Sequence, residues 1–503
     1  MPCFANNLTI SNVALGTRNP ANKTVSVQFD ISWDNSWKTK INYDAAWLTV
    51  RLNKISDGSS GKKLCKFSAA GVNPSGITKG SSSNIDLVIP TDKVGVFIRP
   101  SQYGVNSKIT STGVQVTVDY GTCGFSDADE IKTSIFGLEM VYVPQGSFYA
   151  GDGVSTGSFK QGAADVKPWH INSGALIAVT GIDSNGYYYV SGGNDGENAT
   201  GSSFDVSGEY PKGYNAFFVM KYEVNEGEWV EFVNSLAAAD RNHRDITDNL
   251  HKNSDSVKYR NTVQCSGSPL VCSTSRPNRP VNYLAWQDLA AFLDWMALRP
   301  ISELEYEKIA RGPVYPIEGD YAWGNTSIEA ASIISNGAEN GLESVQNSAN
   351  AVYGNTSFSG GDASESMDQQ KGALRNGIFA TAQSNRAASG AGYYGVLELS
   401  GNLKEMVVTV GNPYGRAFAG INGDGVLSTE ASYEGNANQS DWPGLDEVAS
   451  RGITGVIGTG LRGGSWDSTA ERLRISDRAE AALSVTDAKE NTGGRGARTY
   501  DGE

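Results

Sequence analysis

The first 130 residues of this chain contain only strand-like segments, and this pattern constrains the fold more than any other feature. Gly, Ser, Asn and Pro clusters separate the segments, and no segment with helical periodicity lies between them. The segments alternate apolar and polar residues or are rich in β-branched residues: NLTISNVAL, TVSVQFDISW, AAWLTVRLN, SNIDLVIP, VGVFIRP and VQVTVDY. This pattern predicts an antiparallel β-sandwich over residues 1–132.

The second predicted unit, residues 133–503, mixes strands with helices. The segment LAWQDLAAFLDWMAL has apolar side chains at helical spacing, which predicts an amphipathic helix. Asn225 with Glu228, and Ser302 with Glu305, have the spacing of capping boxes that begin two more helices. The whole chain is therefore predicted to be an α+β protein.

One long stretch of the second unit has few signals of regular structure. Residues 313–390 are rich in Gly, Ser, Asn and Ala. Long ordered loops inside a domain are often functional, although an elaborated surface insertion is the simpler alternative. We predict a loop-rich insertion here.

Charge and composition exclude several classes of function. The net charge of −14 argues against binding to nucleic acid, which needs clustered Lys and Arg, and would favour cations such as calcium. No run of 18 apolar residues is present, so no transmembrane helix is predicted. With three histidines (His170, His243 and His251) and no C-x-x-C pair, the chain offers no zinc site.

The five cysteines suggest two disulfides. Cys265 and Cys272 flank a short turn-rich loop and could close it, while Cys65 and Cys123 lie in the predicted sandwich and could form a second bond. Five reduced, buried thiols are the alternative. Cys3 would be left over, and Met1–Ala5 could be the last stretch of a trimmed export signal or simply the start of the chain.

Several segments of the second unit together resemble the formylglycine-generating-enzyme (sulfatase-modifying-factor) family in order and spacing. They are MVYVPQGSFYAGDG, FFVMKYEVNEGEWVEFVN, RPVNYLAWQDLAAFLDWMALRPISELEYEKIARG, YAWGN, YYGVLELSGNLKEMV and LRGGSWDSTAERLRISDR. The resemblance covers roughly residues 136–500. It implies a variant of the C-type lectin fold, with sparse regular structure and calcium-stabilised loops. The β-rich leader resembles the arrangement in exported bacterial and phage proteins, which implies an extracellular or cell-surface location.

The motif that precedes the catalytic cysteines of this family is present without them. The family's enzymes bind copper through two cysteines that follow an R-G-G-S motif, because soft thiolates suit Cu(I). Here the motif is Arg462-Gly463-Gly464-Ser465, and no cysteine follows Cys272. The resemblance therefore implies a member without copper and without the family's enzyme activity, and a divergent oxidoreductase of the family is the alternative.

A calcium site is also implied by the resemblance, at the segment ELSGNLKE. Its ligands would be the carboxylates of Glu398 and Glu405 and the backbone carbonyls of Gly401 and Leu403. Calcium prefers such hard oxygen ligands. An ion pair between Glu405 and a nearby arginine is the alternative.

The C-terminal segment forms an exposed groove in the family. A ligand-binding interpretation would use a tryptophan for stacking and Asp/Arg pairs for hydrogen bonds. The predicted groove residues are Arg462, Trp466, Asp467, Arg474, Asp477 and Arg478. The alternative is an internal ion-pair network that fixes loops, since the arginine fork pairs well with carboxylates.

These patterns together predict an exported, non-enzymatic surface protein. It would act in adhesion or ligand binding, or as a self-assembling structural subunit of a filament, sheath or phage-type fibre. Edge strands are ready pairing sites, so assembly through a sheet edge is a natural route. The predicted partners are further copies of the chain or a cell-surface glycan or protein, with no nucleic acid and no membrane span.

Overall fold

The computed structural model describes residues 6–56, 61–164, 166–181, 186–194, 196–335, 343–360, 370–381 and 383–500. Strands predominate over helices in these residues, which confirms the predicted α+β class. The predicted signal remnant, with Cys3, lies outside the described residues. No helix among the described residues is long and apolar enough to cross a lipid bilayer.

The N-terminal β unit is built from strands that follow one another along the chain. They are β1 (Asn6–Asn19), β2 (Thr24–Lys38), β3 (Asp44–Lys54), β4 (Lys63–Leu64), β5 (Lys66–Phe67), β6 (Gly71–Val72), β7 (Ile85–Ile89), β8 (Val96–Pro100) and β9 (Val105–Asp119). One sheet has the order β1-β2-β9-β5, and β6, β7, β8 and β3 are neighbours in a second sheet. Val27 and Phe29 of β2 share one apolar core with Leu48 and Val50 of β3. This is the sandwich-like arrangement that the alternating segments predict.

The domain that follows has shorter strands and a few helices. Its strands are β10 (Ile131–Val143), β11 (Phe148–Ala150), β12 (Lys160–Gln161), β13 (Trp169–Ile171), β14 (Ile177–Val179), β15 (Tyr187–Tyr188), β16 (Phe204–Val206), β17 (Phe217–Met220), β18 (Gln264–Ser266), β19 (Val271–Ser273), β20 (Arg299–Pro300), β21 (Ile334–Ser335), β22 (Ser344–Val345), β23 (Lys404–Val408), β24 (Thr459–Arg462), β25 (Thr492–Gly493) and β26 (Gly496–Thr499). Its helices are α1 (Glu226–Ser235), α2 (Ala238–Asn242), α3 (Trp286–Trp295), α4 (Glu303–Arg311) and the single turn α5 (Pro413–Arg416).

Strand β10 belongs to both regions. It pairs antiparallel with β3, from Ile131 opposite Lys54 to Val141 opposite Asp44, and its last four residues pair with β17. The sheet therefore continues in the order β20-β26-β17-β10-β3-β8-β7-β6. The domain boundary predicted between residues 132 and 133 falls inside β10, so one sheet spans both units.

Two helices begin where their capping residues predict. In α4 the Ser302 hydroxyl accepts a hydrogen bond from the Glu305 backbone N–H at 3.0 Å, and the Glu305 carboxylate accepts one from the Ser302 N–H at 3.0 Å. Asn225 and Glu228 make the same reciprocal pair at the start of α1. These bonds satisfy N–H groups that the first helical turn leaves unpaired. The amphipathic helix predicted in LAWQDLAAFLDWMAL is α3.

The predicted insertion has a small core of its own. The described part of residues 313–390 contains the two-residue strands β21 and β22 and long stretches without regular structure. Phe358, Leu374 and Phe379 of this insertion form an apolar cluster with Leu403 and Trp466. The insertion therefore packs over the segment that follows the R-G-G-S motif.

Candidate functional site

Helix α4 presents a line of charged side chains to the C-terminal segment. Glu303, Glu307 and Arg311 are four residues apart and so lie on one helical face. All three are buried, with at most 1% of their surface exposed. Buried charges need partners, and the C-terminal segment supplies them.

Arg462 and Arg478 are those partners. Arg462 places Nη1 3.0 Å from a Glu303 oxygen and Nη2 2.8 Å from Glu307 Oε1. Arg478 places Nε 2.8 Å from the same Glu303 oxygen and Nη2 3.3 Å from Glu197 Oε1. Both arginine side chains are fully buried. Two of the predicted groove residues thus lie in an internal network, which was the alternative interpretation of this segment, and they offer no surface to a ligand.

The network carries its charges at neutral pH. Burial acts to raise the pKa of Glu303, but Arg478 and Arg462 outweigh it and hold that pKa below its usual value. Burial acts to lower the pKa of Arg478, and Glu303 raises it well above the usual value. A carboxylate fixed in this way cannot accept a proton readily, so Glu303 is poorly suited to acid–base chemistry.

Trp466 is not available for stacking on a ligand either. Only 4% of its surface is exposed, and it stacks against Tyr259 with ring centroids 5.2 Å apart. Its indole N–H donates to the Glu490 carbonyl at 3.1 Å. Because the insertion packs on its other side, this tryptophan serves as a core residue.

The remaining groove residues stay closer to the surface. Asp467 is partly exposed and accepts hydrogen bonds from the Ser465 hydroxyl at 2.6 Å and the Asn491 amide at 3.0 Å. Asp477 is buried and lies 3.4 Å from the exposed Arg472, while Arg474 is partly exposed. The structure therefore does not bring the six predicted residues together in one open groove.

The two carboxylates predicted to bind calcium face different partners. Glu405 pairs with Arg495 through two hydrogen bonds of 2.7 and 2.8 Å, which was the alternative interpretation of this residue. Glu398 accepts a hydrogen bond from the Gly377 N–H at 2.8 Å through one oxygen, and its other oxygen is buried without a hydrogen-bond partner. Burial raises the pKa of Glu398 to about 7.

A calcium site that uses both carboxylates does not fit this arrangement, because both Glu405 oxygens already bind the guanidinium. Leu403 and Gly401 make hydrogen bonds through their N–H groups, to the buried Glu223 carboxylate at 3.0 Å and to the Gly463 carbonyl at 2.9 Å, and these bonds do not involve the carbonyl oxygens predicted as ligands. In the part of the chain that the structure describes, no group of three or more His, Cys, Asp and Glu side chains is placed to hold a metal. Calcium binding stays a prediction, with Glu398 as its better-placed carboxylate.

The four described cysteines are joined in pairs. Cys65 bonds to Cys123 within the β unit, and Cys265 bonds to Cys272 across the β18–β19 hairpin. Neither pair lies near the R-G-G-S motif in sequence, and no free thiol of the described residues follows that motif.

Sequence reasoning missed the acidic half of the buried network. Glu303 and Glu307 lie about 155 to 175 residues before the arginines that they bind, so no local pattern links them. The signal that could have found them is the four-residue spacing of Glu303, Glu307 and Arg311 on a helix with few apolar residues.

Comparison with known families agrees with the motifs. A family model described as the sulfatase-modifying factor enzyme 1-like domain matches residues 137–500. The match begins within β10 and ends just after β26, so it takes in the buried network, the insertion and the β20-β26-β17 end of the shared sheet. A comparison with curated proteins finds no match.

Proposed function

This chain belongs to the sulfatase-modifying factor enzyme 1-like family through residues 137–500, and we propose that it is a non-enzymatic, exported surface protein. It acts by assembling with copies of itself or by binding a surface ligand. The observation that carries the proposal is the R-G-G-S segment, which is followed by Trp466, Asp467 and Ser468 instead of cysteines.

The chemistry of this segment does not fit copper. Cu(I) prefers thiolate and thioether donors, and the residues next to the motif offer indole, carboxylate and hydroxyl groups. The insertion core packs on Trp466, so the segment is closed as well as lacking thiolates. Both features support the proposal that this member of the family uses the fold as a structural support and not for catalysis.

The free sheet edges support assembly in preference to binding by a single groove. Among the described residues, the outermost strands of the two large sheets are β1, β5, β6 and β20. The last three span two residues each, whereas β1 spans 14 residues. A long edge strand carries unpaired backbone groups that can pair with another chain. Shifts of register at three points along β1 divide this edge into short stretches, which limits indiscriminate pairing along its whole length.

Location outside the cytosol is part of the same proposal. Disulfides persist in oxidising compartments, and two are present here. The acidic net charge of −14 suits a soluble surface protein that binds cations. Calcium at Glu398 would tie together loops that have little regular structure.

Particle size tests the proposal. Purified protein would be examined by light scattering and negative-stain microscopy with calcium and then with a chelator. Large filaments or sheets are expected, and they should shrink when Ser11 and Ala14, both exposed on β1, are replaced by lysine. Lysines at the exposed Ser68 and Ser83 are the matched control. Discrete particles of 53.5 kDa or a small multiple would overturn assembly.

Metal analysis tests the proposal that the protein is not an enzyme. The oxidoreductase alternative requires a redox metal in the purified protein. Copper or iron retained in a stoichiometric amount would contradict the proposal, whereas calcium alone would agree with it.

A further inference from the structure

A lysine and a glutamate lie together in the interior between the two sheets of the β unit. Glu139 of β10 stands directly before Met140, which pairs with Met220, and the Lys221 backbone N–H donates to the Glu139 carbonyl at 2.9 Å. The side-chain Nζ of Lys221 is 3.8 Å from Glu139 Oε2. The lysine side chain is fully buried and the glutamate side chain is 12% exposed.

The N-terminal β unit completes the surroundings of this pair. Asp44 of β3 is opposite Val141 in the ladder, so it is a diagonal neighbour of Glu139 on the same face of the sheet. Its carboxylate accepts hydrogen bonds from the indole N–H of Trp33 at 2.6 Å, the Ser36 hydroxyl at 2.9 Å and the Trp37 backbone N–H at 2.8 Å. Asp44 is therefore held in one position.

Aromatic rings enclose the amine. Lys221 Nζ lies 5.4 Å from the Trp37 ring centroid and 5.0 Å from that of Tyr222. One Glu139 oxygen accepts a hydrogen bond from the Leu8 N–H at 3.1 Å, and the other is buried without a hydrogen-bond partner. An amine and a carboxyl group are thus held in contact where water has little access.

The acids around this lysine accept a proton more readily than exposed carboxylates do. Burial raises the pKa of Glu139 above its usual value, and it raises the pKa of Asp44 to about 7, although Lys221 opposes both shifts. Other charged groups near these residues are Asp34, which raises the pKa of Glu139, Glu228, whose pKa Glu139 raises, and Glu398, whose pKa Lys221 lowers. A proton moved from the ammonium group to the carboxylate favours acylation, because an amine and a carboxylic acid condense with loss of water, whereas a carboxylate would have to lose oxide.

We propose that Lys221 and Glu139 condense into an intramolecular isopeptide bond. The Nζ–Cδ bond forms and one Cδ–Oε bond of Glu139 breaks. The oxygen leaves as water with the two protons that the ammonium group gives up, so an ammonium and a carboxylate become one amide and one water molecule. No oxidant or external reactant is needed. Asp44 acts as the proton carrier, because it takes a proton from the amine and passes it to the departing oxygen.

The short distance between the amine and the carboxylate and the exclusion of water both favour this reaction. Held in contact, the two groups react as if at a very high effective concentration. Loss of an ion pair from the interior also removes the cost of keeping two charges away from water. Other lysine ion pairs lack this setting: the Lys404 and Lys54 side chains are 16% and 42% exposed.

The bond would close the chain between β10 and the end of β17 and would enclose residues 140–220. Because Asp44, Trp33 and Trp37 come from the β unit, the reaction would follow its packing against the family domain. The inference goes beyond the proposed function and does not depend on it.

The intact mass of the purified full chain tests the proposal directly. The measured mass should be lower, by the mass of one water molecule, than the mass calculated for the sequence with two disulfides. A protease digest should contain one branched peptide that joins the segments around Glu139 and Lys221. A protein with the full sequence mass, and linear peptides for both segments, would overturn the bond.

Four variants separate the roles of these residues. Lys221→Arg and Glu139→Ala should restore the full mass. Lys308→Arg should leave the mass deficit unchanged, because Lys308 is buried, donates to the Gly146 carbonyl at 2.7 Å and forms no ion pair with a carboxylate among the described residues. Asp44→Asn should give a folded chain of full mass, with folding checked by circular dichroism. If Asp44→Asn still loses water, the role of Asp44 is overturned while the bond stands.

Discussion

The β unit before residue 131 and the family domain after it bury their charged groups in different ways. In the β unit, Asp44 is satisfied by neutral donors from Trp33, Ser36 and the backbone. In the family domain, several buried carboxylates also face arginines, as in Glu303 with Arg478 at 2.8 Å and Glu405 with Arg495 at 2.7 Å. The first region is stabilised mainly by strand pairing and apolar burial. The second region also uses buried ion pairs that join segments distant in sequence.

The difference follows from how much regular structure each region has. Long paired strands fix their neighbours through the ladder, and alternation then places the apolar side chains in the core. Where strands have two to five residues, loops must be held by side chains. Buried ion pairs do this with geometric specificity, although their desolvation offsets much of their attraction. Since both regions share β10, strand pairing in the β unit and ion pairs in the family domain stabilise one continuous sheet.

Removing one side of a buried ion pair should have the largest effect. Glu303→Gln leaves Arg462 and Arg478 without their shared carboxylate, and we expect the free energy of unfolding to fall by roughly 3–5 kcal/mol. Urea titration followed by circular dichroism measures this change. Glu318→Gln, at an exposed position, is the matched control and should change little. Equal effects of the two variants would show that the buried ionic network does not stabilise the family domain.

The two disulfides should differ because they close loops of different length. Cys65–Cys123 spans 58 residues of the β unit, and Cys265–Cys272 spans 7 residues of the family domain. The chain-entropy relation gives about 4 kcal/mol for the longer loop and about 2.5 kcal/mol for the shorter one. Replacing each pair by alanines and comparing the denaturant midpoints checks the order. A larger loss from the hairpin pair would contradict it.

A pH dependence should arise from the family domain. Burial acts to lower the pKa of His251, but Asp288 and Asp248 outweigh it and raise that pKa to about 9. The folded state then binds a proton more tightly than the unfolded state does. This contribution is fully present below about pH 6.5 and is lost as the pH rises to about 9, by up to roughly 3 kcal/mol.

Thermal melting between pH 6 and pH 9.5 measures this loss for the native chain and for His251→Gln, which should lack this part of the slope. His243, whose side chain is 41% exposed beside Glu434, provides the matched control His243→Gln. If both variants keep the slope of the native chain, His251 is not its source.

The smallest effect is expected for an ion pair on the surface of the β unit. Lys108 lies 3.1 Å from Asp34, and its side chain is 60% exposed. Lys108→Ala should change the free energy of unfolding by less than about 1 kcal/mol, because solvent screens the pair. A loss as large as that of Glu303→Gln would show that surface charges also hold the β unit together.

The features that the sequence predicts are local ones. The strands of the β unit, the caps at Asn225 and Ser302, and the helix around Leu289 follow from residues a few positions apart. The arginine segment was predicted as either a groove or a network, and the choice depended on Glu303, which lies about 175 residues from Arg478. The burial of Trp466 and the sharing of β10 are likewise long-range, since they arise when distant segments pack together.

Calorimetry of the whole chain tests most directly the claim that β10 makes the two regions one cooperative body. We expect a single unfolding transition. Leu48→Ala, which opens a cavity in the β unit, and Glu303→Gln, which breaks the ionic network of the family domain, should each move that whole transition to lower temperature. Two separate transitions, each shifted by only one of these variants, would contradict the claim.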